Sequence, residues 1–412
     1  MERFEDYSEE IYKCTKCGLC QSVCPVYKQL KEDCAVSRGK FVILNGVLKK
    51  DIEFSKKVSS YLDLCLHCNA CGEYCPSGIN AEKIISAAKY VSFEKNGASL
   101  LKKLVISFFN SKILLSCSKL GLDLYRNFKI ADIADFLNNK TFKIKPLKLL
   151  NKWTKINVKY KKLQAKKTNN LTIAYFPGCV NKYINPSLLN SMKIISEVNG
   201  INLKVLNTDC CGIPAKHIGD LKSFIKSAKT NLDKIPDDID FLVTDCASCG
   251  SAWKMYEETL KDDYKKKAEN IAKKAVNIYE LLEKIELYVP KTTEKPIKVT
   301  YHDPCHMVRF ENIRLAPRNI INKLNVEFVE MKDSDTCCGA SGSFIATQHK
   351  LSTEISKVKA QNIIDTKAEI VLTSCTSCVS GLYNGLIEIN SDTKVMQPLE
   401  LLAQIYLEDE NV

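Results

Sequence analysis

Near its start the chain spells C-x-x-C-x-x-C-x-x-x-C-P twice. The first copy is Cys14, Cys17, Cys20, Cys24 and Pro25, and the second is Cys65, Cys68, Cys71, Cys75 and Pro76, each position 51 residues after its counterpart. Eight thiols at this spacing are the pattern of chains that wrap iron–sulfur clusters. A disulfide framework would need an oxidising compartment, and paired zinc sites separate their C-x-x-C knuckles by a longer loop. With 412 residues, 45% of them hydrophobic, the chain can build two to four domains with cores of their own. Its twenty cysteines are too dispersed for a small disulfide scaffold. The first ten residues are acidic and lack the basic-then-apolar order of a secretory signal. No window reaches the roughly 18 apolar residues of a membrane span. These features predict a cytoplasmic chain with reduced thiols.

The paired runs resemble those of bacterial two-cluster ferredoxins. In that pattern three close thiolates grip one cube and the thiolate before proline crosses to the other. The resemblance implies one 4Fe-4S cluster on Cys14, Cys17, Cys20 and Cys75, and a second on Cys65, Cys68, Cys71 and Cys24.

Ten further cysteines form a second repeat. Cys179, Cys210-Cys211-Gly212 and Cys246/Cys249 are matched by Cys305, Cys337-Cys338-Gly339 and Cys375/Cys378, at offsets of 126, 127 and 129. Short β-branched or aromatic runs precede each group, at 172–176, 203–206 and 241–244, then at 299–302, 326–331 and 370–373. Helical patterns at 187–199, 220–233 and 350–366 lie between them. Alternating strands and helices predict parallel α/β units with right-handed crossovers. Ligands in such sheets collect beyond the carboxyl ends of the strands, so each unit should gather five thiols at one point. Neighbouring strand residues face opposite ways, so each Cys-Cys pair needs a turn to aim both inward. Gly212 and Gly339 can supply its positive φ. Five thiols are one more than a cube needs. They suit an atypical cluster, or four ligands and one reactive thiol; zinc or plain burial are the alternatives. Cys34 and Cys117 belong to neither repeat and read as small buried hydrophobes.

The paired Cys-Cys-Gly pattern resembles the cysteine-rich domain of heterodisulfide reductase catalytic subunits. The same domain occurs in iron–sulfur subunits of glycolate oxidase, anaerobic glycerol-3-phosphate dehydrogenase and lactate-utilisation complexes. The order of motifs is most similar to the glycolate oxidase iron–sulfur subunit. Ser37-Arg38-Gly39-Lys40, Tyr175-Phe176-Pro177-Gly178-Cys179 and His302-Asp303-Pro304-Cys305-His306 favour that branch. The resemblance covers nearly all the chain except about 100–168. It implies an α+β multidomain protein: a mainly helical two-cluster domain (1–98), a helical connector and basic linker (99–168), and two duplicated α/β cysteine-rich domains (169–290 and 291–412). It also implies one or two further noncubane 4Fe-4S clusters on the two sets of five cysteines.

No two of the sixteen glycines are spaced G-x-G and no phosphate loop appears, so the chain offers no flavin or nicotinamide site. Dehydrogenation would then fall to another polypeptide. The expected role is an electron-transfer subunit of an FAD-linked 2-hydroxyacid dehydrogenase complex acting on glycolate or D-lactate. It would pass electrons from a flavoprotein subunit to quinone or a soluble carrier. The competing role is reduction of a disulfide at a Cys-Cys-Gly cluster, as in heterodisulfide reductases. No residue of the chain stands out as catalytic. His302 and His306 flank Cys305 and are placed either to hydrogen-bond a cluster sulfur or to pack. His67 reads as a solvent-touching loop residue, and His217 and His349 as structural. Residues 140–167 hold eleven lysines and no acid, after apolar clusters at 104–106, 108–109 and 113–115. This stretch reads as a connector or as a peripheral contact with the inner face of a membrane. The net charge of +12 comes without interleaved aromatics, so nucleic acid is not an expected partner.

Overall fold

The computed structural model describes residues 3–127, 145–155, 157–261, 263–290, 296–410 and 412. Of the lysine-rich stretch, residues 140–144 and 156 lie outside the described residues.

The apolar runs become two four-stranded parallel sheets. In the first, β1 (Leu171–Tyr175), β2 (Ile201–Val205), β3 (Phe241–Thr244) and β4 (Ala275–Asn277) lie in the order β2-β1-β3-β4. In the second, β5 (Ile297–His302), β6 (Val326–Phe328), β7 (Ile370–Thr373) and β8 (Lys394–Met396) repeat it as β6-β5-β7-β8. The central strands have helices on both faces, and Ile173, Ala174, Tyr175, Val299 and Tyr301 are fully buried. After β1 the chain steps to β2 on one side, then returns across to β3 on the other. The crevice at that reversal opens between the ends of β1 and β3, the usual ligand position in open α/β sheets. Cys179 and Cys246 follow these two ends, and Cys305 and Cys375 their counterparts. The fourth strand of each sheet was not expected, because three residues are too short to show a period. The helices Ser187–Val198, Leu221–Leu232 and His349–Asp365 fall where the sequence pattern put them.

The N-terminal region is helical, with Ser37–Leu48, Lys56–Asp63 and Ala81–Asn96 closing on Phe4, Phe41, Leu44, Leu62, Ile84, Ile85 and Val91. It packs against both sheets' units. Lys89 Nζ donates to the His217 carbonyl at 2.9 Å. A Cβ at Gly219 (φ +102°) would lie 2.3 Å from the Lys89 carbonyl oxygen, so the backbones meet where only glycine fits. The buried Arg309 guanidinium bridges Glu73 (2.7 Å) and Asp335 (2.9 Å), tying the second cysteine run to the second sheet's unit.

Candidate metal centres

The two N-terminal runs share one backbone device. Lys16 and Gly18 in the first run, and His67 and Asn69 in the second, all have positive φ, at the same two positions of each run. Alternating right- and left-handed residues curl the chain into a nest whose N–H groups converge on an anion. Asn69 and His67 are side chains that take this conformation comparatively readily, whereas Lys16 does so against its preference. Gly18 and Asn69 also start the short helices Leu19–Val23 and Ala70–Glu73 that carry Cys20 and Cys71.

The eight thiols line two cavities. One, of about 410 Å³, is lined by Cys14, Cys17, Cys20, Cys71 and Cys75. The other, of about 440 Å³, is lined by Cys24, Cys65, Cys68 and Cys71, with the buried Lys40 beside them. Cys75 therefore stands with the first run and Cys24 with the second. Cys71 reaches both cavities and accepts from Ser37 Oγ at 2.9 Å. Burial pushes the Cys24 thiol up to about 12, and raises Cys65 and Cys71 as well. Free thiolates are thus disfavoured here, and a bound cation is what would favour them.

The five thiols of each α/β unit form one connected set. In the first, Cys179 lies against Cys210, Cys210 against Cys211, Cys211 against Cys249 and Cys249 against Cys246, each perturbing its neighbour's titration. In the second, Cys305 lies against Cys337, which adjoins Cys338, then Cys378 and Cys375. Gly212 (φ +83°) and Gly339 (φ +85°) make the turns that aim both members of each pair inward. A π-helical turn follows Cys179 (Val180–Ile184) and another follows His306 (Met307–Glu311), a distortion frequent at functional sites. All ten thiols are buried. Hydrophobic packing alone would separate five sulfurs among apolar neighbours, whereas here they face one another.

The four sets touch in a definite order. Cys71 joins the two N-terminal cavities. Cys68 lies close enough to Cys337 to raise its own pKa, so the second cavity abuts the second five-thiol set. That set meets the first through Cys375 and Cys246, whose sulfurs are 3.9 Å apart. The junction is reciprocal: Ser248 Oγ is 3.3 Å from Cys375 and Thr376 Oγ1 is 3.4 Å from Cys246. Two of the three junctions cross between units of the chain, and neither could be read from spacing.

The histidines depart from expectation. His67 is buried, not solvent-touching, and its ring stacks on His217 with centroids 4.3 Å apart and planes 8° apart. His217 in turn contacts His306 at 5.4 Å, so each of the three units contributes one ring to a buried column. Burial drives His67 to about 3 and His306 to about 4, leaving neutral rings. His67 Nδ1 is fixed by Glu82 at 3.1 Å and His306 Nδ1 by Ser251 at 2.6 Å. His302 is also buried and has no hydrogen-bond partner at either nitrogen. Cys34 and Cys117 correct a second expectation. Cys34 is half-buried beside Glu32 and Cys117 is exposed, so neither is a core residue.

Comparison with known proteins agrees with this layout. The 4Fe-4S dicluster domain family matches residues 10–79, and the cysteine-rich domain family matches 173–254 and 299–383. The chain is 23% identical over 408 residues to the glycolate oxidase iron-sulfur subunit of Escherichia coli (strain K12), spanning 95% of this chain and 93% of that one. It is 26% identical over 426 residues to a dihydromethanophenazine:CoB–CoM heterodisulfide reductase chain of Methanosarcina acetivorans, with 96% and 94% covered. A chain of the CoM/CoB fumarate reductase of Methanothermobacter marburgensis is 30% identical over 242 residues, 58% of this chain and 47% of that one. A crystal structure of a hypothetical protein from Helicobacter pylori superposes with a TM-score of 0.56 at 13% identity, covering 100% of this chain and 73% of the other, a likeness of fold alone.

Proposed function

We propose that this chain, in which a match to the 4Fe-4S dicluster domain precedes two matches to the cysteine-rich domain, is the electron wire of a 2-hydroxyacid dehydrogenase complex. Its relatives are subunits of oxidoreductases, and the carrying observation is the unbroken contact of four thiol sets. In this reading Cys14, Cys17, Cys20 and Cys75 hold the first cube, and Cys65, Cys68, Cys71 and Cys24 the second. Cys305, Cys337, Cys338, Cys375 and Cys378 hold a third cluster, and Cys179, Cys210, Cys211, Cys246 and Cys249 a fourth. Such clusters supply one-electron carriers whose potentials follow charge, hydrogen bonding and exposure. The protein's part is to hold them in line. Lys40 and Arg309 place buried positive charge beside the second and third sets, and the paired nests offer N–H groups to the first two. A separate flavoprotein would oxidise glycolate or D-lactate and deliver electrons at the first cavity, where Cys17 is exposed.

The far end of the wire lies under a helical hairpin. Helices Leu100–Asn110 and Lys112–Asn127 bury Ile106 and Leu115 against the first cysteine-rich unit, and Lys112 pairs with Asp209 beside Cys210 at 3.0 Å. Their outer side exposes Leu100 (74%), Leu104, Ile113 (76%), Leu120 and Leu124, interspersed with Lys103 and Lys119. No described helix is long and apolar enough to cross a membrane. An apolar stripe flanked by lysines is instead the chemistry of a helix lying on anionic lipid, where a quinone would be at hand. Full-length chain should co-sediment with vesicles containing phosphatidylglycerol. An Ile113→Ser/Leu120→Ser variant should lose more than tenfold in affinity, since each buried aliphatic contributes about 2 kcal/mol. Equal binding by both, or by neither, removes this surface from the proposal.

The second reading, disulfide reduction at a cysteine-rich set, is favoured by the similarity to a heterodisulfide reductase chain. A direct test separates the two. The chain alone, fed by reduced viologen, should not turn over a disulfide. With a 2-hydroxyacid-oxidising flavoprotein encoded beside it, the substrate should bring up its reduced-cluster signals. Disulfide turnover without flavoprotein would overturn the wire in favour of the reductase.

A further inference from the structure

The two cysteine-rich units differ at one residue that faces their thiols. β1 leads into Phe176 and β5 ends in His302, equivalent positions at the offset of 126. Phe176 is fully buried and meets Trp253 edge-on at 5.1 Å, satisfied as an apolar ring should be. His302 is equally buried, but both its ring nitrogens lack a hydrogen-bond partner. The Ser334 carbonyl is near enough to favour an N–H directed toward it, though without hydrogen-bond geometry. A buried imidazole left this way forfeits its hydration with nothing in return unless something else engages it.

What lies within reach is sulfur. A ring nitrogen of His302 and the sulfurs of Cys338 and Cys378 all stand within 4.8 Å of one another. None of these contacts is a hydrogen bond from the ring, since both its nitrogens lack a partner. Donor atoms bound to a common metal at about 2.0–2.3 Å stand roughly 3.5–3.8 Å apart, and these three are close enough to gather around one ion. We propose that His302 is a direct nitrogen ligand of an iron also held by Cys338 and Cys378, so that the second cysteine-rich unit takes mixed nitrogen–sulfur ligation and the first takes sulfur alone. This rests on the reading that the five-thiol sets hold iron. Ligand identity tunes cluster potential. The duplicated units would then be electronically unlike, the second set, midway along the wire, carrying a nitrogen donor that the first lacks.

The test uses anaerobically prepared full-length chain with ¹⁵N-labelled histidine, reduced and examined by pulsed electron paramagnetic resonance beside iron analysis. Wild type should show the strong nitrogen coupling of a directly bonded imidazole. The coupling should vanish in His302→Phe, which copies the first unit, and in His302→Asn, with iron content retained and the midpoint potential of that centre shifted. It should persist in a chain carrying His67→Asn and His306→Asn, which also decides the matter should both His302 variants fail to fold. Iron beyond that of the dicluster domain with no such coupling in wild type, or coupling that survives in His302→Phe, would overturn the ligand. Absence of any such extra iron would instead refute the parent reading.

Discussion

Cys75→Ser should empty the centre of the Cys14, Cys17 and Cys20 cavity and spare the centre formed by its own sequence neighbours. The thiol lies with the first run in the first cavity, while Cys24 lies with Cys65 and Cys68 in the second. The serine hydroxyl is a far poorer ligand for iron than thiolate, so about four irons per chain should be lost or converted to a three-iron form. Electron paramagnetic resonance of the reduced variant should show one N-terminal signal gone and the other kept. Cys24→Ser should give the reciprocal pattern. Loss of the second centre in Cys75→Ser, with the first intact, would contradict the crossed assignment.

Cys337→Ser should isolate the first cysteine-rich set from the N-terminal pair. Cys337 lies between Cys68 on one side and Cys305 on the other, and among the described residues the two five-thiol sets meet at Cys246 and Cys375. A short light pulse with a deazaflavin donor, followed by freeze-quenching, would track where electrons go. In wild type they should spread to all four centres. In Cys337→Ser the set around Cys179 should stay oxidised, whereas in Cys179→Ser the set around Cys305 should still fill. Equal filling of the Cys179 set in wild type and Cys337→Ser would show that electrons do not travel in this order.

Much of this was legible in the sequence because the relevant constraints are local. The 51-residue and 126-residue repeats, the glycine after each Cys-Cys pair and the strand before each cysteine group are all short-range patterns, and each has its counterpart in the structure. The left-handed Lys16, His67 and Asn69 were not legible. Non-glycine residues take that conformation only occasionally, and cysteine spacing alone does not say where. The histidine column escaped notice because its rings come from positions 67, 217 and 306, brought together only by docking. The same holds for the order of the four sets, which depends on contacts such as Ser341 to the Leu66 carbonyl, 275 positions apart. His67 was misread because a loop residue between two cysteines is ordinarily wet, and here a neighbouring unit covers it. Cys117 failed in the opposite sense. Its helix is apolar on both faces, and burial of Leu115 uses only one.

The central claim is that the thiols of all four sets hold iron, and elemental analysis of anaerobically purified full-length chain, with Mössbauer spectra, tests it most directly. About sixteen irons with matching acid-labile sulfide would agree with four filled centres. Eight or fewer would leave the cysteine-rich sets without clusters and break the wire after its second member, and colourless protein with zinc in place of iron would contradict the account as a whole.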